Sequence, residues 1–72
     1  MIVSKFIEPE LELYRKQCNF VGVEKDVFEM RSKGIPLEEI AEIKGFTYDG
    51  IKKVSKGVNE KIIRVQHYFG TF

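Results

Sequence analysis

The sequence predicts an all-α fold of four to five short helices in one domain. Three observations lead there. Apolar residues recur at spacings of three and four in successive segments. Glycines and prolines fall between those segments and divide them. The chain has 72 residues, enough for one small core and no more.

The elements follow in order. Pro9 suits a first helical turn, and Glu10 and Glu12 favour the positive end of the helix dipole. Leu11, Tyr14 and Cys18 then make one apolar stripe, so a helix is expected over 9–18. Phe20, Val23, Val27 and Met30 step by three, four and three, with charged residues between them. Gly34 stops that second helix, and Lys33 stands in its last turn. Pro36 opens a third helix whose inner face is Leu37, Ile40, Ala41 and the stem of Lys44. Gly45 ends it. Thr47 caps a fourth, with Asp49 in its first turn and Ile51, Val54 and Val58 on its inner face. Beyond Val58 two readings stand. Ile62, Val65 and Phe69 fit a helix. Ile63, Val65, His67 and Phe69 fit a strand that residues 1–7 would pair with.

The whole chain, 1–72, is read as a single domain. It comprises an N-terminal extension and helix (1–19), a core (20–62) and an apolar C-terminal tail (63–72).

Composition excludes several classes. The chain is 43% hydrophobic and 32% charged, as globular proteins are. The lone Cys18 cannot form an internal disulfide or a zinc knuckle and is expected to be packed in a reducing compartment. Lys5 interrupts the apolar residues of 1–7 and no small-residue cleavage site follows, so no secretory leader is read. No apolar run is long enough to cross a bilayer. The expected location is the cytoplasm, with no membrane partner.

Net charge is only +1, but it is polarised along the chain. Residues 1–43 hold six basic and nine acidic side chains, a net of −3. Residues 44–72 hold six basic and two acidic, a net of +4. The positive half is the one suited to phosphates. A solvated lysine-rich helix face accounts for the same charge equally well.

Residues 37–56 meet the demands of a helix-turn-helix. A small residue, Ala41, stands where a second helix would cross the first. Gly45 follows four residues later, where the turn needs positive φ. Phe46 is expected to tuck its ring inward. Ile40, Ile51 and Val54 complete the small core between the helices.

The stretch 20–62 resembles the DNA-binding domain of LuxR/GerE-type response regulators and the related region four of bacterial sigma factors. The family's opening L-T-x-x-E-x-x-V-L segment falls on Phe20-Val21-Gly22-Val23-Glu24-Lys25-Asp26-Val27-Phe28. Its next glycine matches Gly34, its E-I-A matches Glu39-Ile40-Ala41, and its L-G-I-S turn matches Lys44-Gly45-Phe46-Thr47. Its T-V pair falls on Gly50-Ile51. The register runs without a gap over about forty residues. The chain departs from the pattern at four positions. Lys44 replaces an apolar residue, Gly50 a small hydroxyl residue and Gly22 a proline. Gly57 falls where the family's last helix continues, and predicts a break or kink there.

The resemblance implies a sequence-specific, double-stranded DNA-binding transcriptional regulator, bacterial or phage. Its recognition helix, read over 47–56, would enter the major groove. The outward residues are then Thr47, Tyr48, Asp49, Lys52, Lys53 and Lys56, with Lys44 just before the turn. Lysines can donate to guanine O6 and N7 or to phosphate, and Asp49 can accept from cytosine N4. Tyr48 suits a thymine methyl or a phosphate, and Thr47 a phosphate at the helix start. A homodimer through the C-terminal tail is expected to set two such helices one DNA turn apart. The alternative is an adaptor on the same scaffold acting on RNA polymerase or another regulator.

Other residues carry less chemistry. His67 is the only histidine and has no clustered ligands, so no metal is expected. Glu38, Glu39 and Glu42 share an outer helix face with no nucleophile beside them. No phosphate-cradling glycine motif is present. Neither an enzyme, a catalytic residue nor a cofactor is expected.

Overall fold

A computed structural model of the chain describes residues 5–69. It contains four helices: α1 (Glu8–Gln17), α2 (Val23–Ser32), α3 (Leu37–Lys44) and α4 (Tyr48–Phe69). There is no strand among the described residues. None of these helices is long and apolar enough to cross a membrane.

α4 is the spine. Its 22 residues span about 33 Å at 1.5 Å per residue, which matches the 35 Å long axis of the molecule. Ile51, Val58, Ile62 and Val65 form one buried stripe along it. α3, α2 and α1 pack on that stripe in turn. Ile40 and Ala41 come from α3, Val27 and Phe28 from α2, and Leu11 and Tyr14 from α1, joined by Cys18 just beyond it. Tyr14 is fully buried between the Phe6 and Phe28 rings, at centroid distances of 5.0 and 6.4 Å. Its hydroxyl accepts a hydrogen bond from Gln66 Nε2 at 3.1 Å, tying α1 to the far end of α4. Burial pushes the phenol pKa up, against that hydrogen bond.

The helix ends have local causes. The Glu10 carboxylate accepts the Ile7 N–H at 2.9 Å, and the Glu24 carboxylate accepts the Val21 N–H at 3.2 Å. Each satisfies a donor that precedes the helical ladder. α3 closes on Gly45, whose φ of 72° is left-handed. There the Phe46 N–H donates to the Ala41 carbonyl at 2.8 Å and the Gly45 N–H to Glu42 at 3.3 Å, which is a Schellman closure.

α2 is the electrostatic hub. Glu29 receives Arg15 of α1 through two hydrogen bonds, of 2.8 and 3.1 Å. Asp26 receives Lys44 of α3 at 2.8 Å. Glu24 receives Lys61 of α4 at 2.6 Å. The acidic half of the chain thus neutralises part of the basic half from within.

Several expectations change. Helix α1 is Glu8–Gln17, one residue earlier at each end than 9–18. Phe20 precedes α2 rather than lying on it, and stacks on Phe28 at 4.8 Å from the loop. Pro36 is the cap before α3, not its first-turn residue. The last helix is long, not short, and does not break at Gly57. Gly57 faces α2, where a Cβ would meet Glu24 Oε2 at 3.3 Å. The missing side chain leaves the Glu24 carboxylate unhindered beside the helix, and packing of the Val58, Ile62 and Val65 stripe holds the backbone helical. The segment read as helix or strand after Val58 is helix to Phe69, so most of the predicted tail belongs to α4. Residues 1–4, invoked for strand pairing, and 70–72 of the tail lie outside the described residues. Phe46 does not tuck inward. It is 42% exposed, with its ring beside Gly50 on the first turn of α4.

Candidate nucleic-acid interface

The start of α4 assembles three lysines, a tyrosine, a threonine and one aspartate on its outer side. The Gly45 turn redirects the chain, and Thr47 begins the next helix by accepting the Gly50 N–H on its Oγ1 at 3.0 Å. The backbone then winds at 100° per residue, so burying Ile51 and Val58 turns Tyr48, Asp49, Lys52, Lys53 and Lys56 outward. All five are exposed. Asp49, Lys52, Lys53 and Lys56 line one open surface concavity. The Lys52 ammonium lies over the Tyr48 ring, 5.3 Å from its centroid. That placement is a cation–π contact, which restrains an otherwise mobile lysine.

The charges differ in how they are used. Lys44 and Lys61 are held by α2 acids. Lys52, Lys53 and Lys56 form no ion pair with an acid among the described residues. Their positive charge is presented to solvent within two turns of one helix. Lys44, assigned to this surface from the sequence, sits at its edge with its ammonium on Asp26. Thr47 is exposed, but its hydroxyl oxygen already serves the helix end.

The outer face continues past the lysines. Glu60, Ile63, Arg64 and His67 are exposed along the second half of α4. Ile63 is 52% and Tyr68 82% exposed. The helical reading of Ile62, Val65 and Phe69 is the one the structure has, and the stripe Ile51, Val58, Ile62 and Val65 runs unbroken past Gly57.

Other candidates do not assemble. Glu38, Glu39 and Glu42 are exposed on α3. Among the described residues no group of three or more His, Cys, Asp or Glu side chains could hold a metal ion. Cys18 is buried, and burial pushes its thiol pKa up to about 11, the opposite of an activated nucleophile.

Comparison with family models, with curated proteins and with solved structures found no match to this chain. What the fold and the surface define is a small all-helical four-helix domain with a lysine-bearing helix face.

Proposed function

We propose that this protein is a sequence-specific, double-stranded DNA-binding transcriptional regulator of LuxR/GerE-like helix-turn-helix type. α3 and the first half of α4 form the motif, and residues 48–56 enter the major groove. One observation carries the reading: Lys52, Lys53 and Lys56 share an exposed face with Tyr48 and Asp49, without acidic partners among the described residues, while Lys44 and Lys61 are neutralised by α2. A helix of this width fits the major groove, and lysines on its outer face supply the phosphate and guanine contacts.

The test is duplex binding across a salt series by the wild type and by the double variant Lys52→Ala, Lys53→Ala. Binding should weaken steeply with salt. The double variant should keep its helicity, bind more weakly and lower the slope of log K against log salt by about one unit for each of the two lysines that contacts phosphate rather than a base. Unchanged affinity and slope would reject the reading.

A second reading is an adaptor that meets RNA polymerase or another regulator. Exposure of Ile63 and Tyr68 on the second half of α4 favours it. Capture of a protein partner, lost on Ile63→Asp and accompanied by no shift of duplex DNA at low salt, would select it. A homodimer through the C-terminal part of the chain is tested separately by sedimentation at several concentrations.

A further inference from the structure

Asp49 is a carboxylate set inside a lysine cluster, and the inference drawn from it rests on the DNA-binding reading above. It lines the same concavity as Lys52, Lys53 and Lys56, is exposed, and forms no ion pair among the described residues. As a contributor to general affinity it is the wrong charge, because phosphates repel it. A group that costs affinity on every sequence acts by what it excludes.

We propose that Asp49 is the base-selecting residue of this surface, requiring a G·C pair at one position of the bound site. Its carboxylate accepts from cytosine N4. Lys52, restrained over the Tyr48 ring at 5.3 Å, donates to O6 and N7 of the paired guanine. The two residues are three positions apart and so neighbours on the helix surface. Their order, acceptor beside donor, complements the major-groove edge of a G·C pair, which offers a donor on cytosine and two acceptors on guanine. Thymine or guanine facing Asp49 would oppose an acceptor to a carboxylate. Adenine offers a donor at N6, but its partner thymine gives Lys52 a single acceptor and a methyl group where guanine gives two acceptors.

The experiment is selection of bound sequences from random duplexes by the wild type, Asp49→Ala and Asp49→Asn, with thermal melts of all three. The wild-type pool should carry one fixed G·C position. Asp49→Ala should reduce discrimination there about tenfold or more and tighten binding to unselected duplex. Asp49→Asn should move the preference at that position to A·T, since an amide pairs with adenine N6 and N7. The other positions should not change. A carboxylate serving only the helix dipole would alter stability and overall affinity and leave base preference alone. A wild type that selects sequence, with both variants selecting the same one, would overturn the proposal and leave the DNA-binding reading standing. A wild type that binds no duplex at low salt would overturn both.

Discussion

Glu24 of α2 and Lys61 of α4, 37 residues apart, meet at 2.6 Å directly beside Gly57. Lys61 also donates to the Asn19 carbonyl at 3.3 Å, so one ammonium holds α4, the start of α2 and the loop before it. Both side chains of the pair are about one-fifth to one-quarter exposed, at 20% and 24%. That enclosure makes the pair less screened than a surface contact, and it sets a carboxylate oxygen close against Gly57, 3.3 Å from where a Cβ would stand.

A pH dependence follows from this contact. The Lys61 ammonium holds the Glu24 carboxyl below the usual carboxylate range; burial opposes it, and the Val21 N–H assists. A depressed folded-state pKa means stability that is fully present above the unfolded value of about 4.5 and lost as pH falls through the lower folded value. Glu24→Gln should therefore cost about 1 kcal/mol at pH 7. The difference from wild type should shrink as pH is taken from 7 to well below 4.5. Urea unfolding at the two pH values measures it. A gap that stays constant with pH would mean that the carboxylate's charge is not what stabilises the contact.

These contacts also show where sequence reasoning stopped. Periodicity located the buried stripe of α1 at Leu11, Tyr14 and Cys18, and that of α4 at Ile51 and Val58, because each depends only on residues of its own helix. The outward placement of Lys52, Lys53 and Lys56 was implied by the family resemblance, and all three are exposed. The break or kink expected at Gly57 came from its departure from the family pattern; α4 continues through it, with the Glu24 carboxylate of α2 lying against that glycine. Nothing in the local pattern around Lys44 shows Asp26 beside it, so its ion pair with α2 was not legible in the sequence. Phe46 was misplaced by reasoning from the turn alone. Its ring lies 42% exposed against the first turn of α4, beside Gly50.

The start of α4 couples two residues that a propensity scale treats as independent. A Cβ on Gly50 would stand 3.1 Å from Thr47 Oγ1, the atom that caps the helix. Alanine should gain roughly 1 kcal/mol over glycine within a helix, but here it must displace the cap. Thr47→Ala alone should cost about 1 kcal/mol. In the Thr47→Ala background the crowding atom is gone, so Gly50→Ala should then show its full gain, while in wild type it shows much less. The double-mutant cycle, read by thermal or urea unfolding, should give a coupling of at least about 0.5 kcal/mol. Additive effects would mean that the hydroxyl moves aside at no cost.

On the proposed DNA-binding reading, Lys44 separates internal charge pairing from contact with a duplex. Its ammonium is 2.8 Å from Asp26, with the two side chains 31% and 50% exposed. Exposure of this degree limits the pair to a few tenths of a kcal/mol up to about 1. An ammonium engaged with a carboxylate displaces no counterion from a duplex, so Lys44→Ala should lower stability slightly and leave the salt slope of binding unchanged. Asp26→Asn removes the competing anion and frees the lysine at the edge of the lysine face. It should therefore strengthen binding to duplex DNA and steepen the slope by about one unit. Adding Lys44→Ala to Asp26→Asn should return the slope to the wild-type value. If Lys44→Ala alone lowers the slope by about one, the lysine leaves Asp26 for phosphate on binding, and the ion pair describes the unbound protein only.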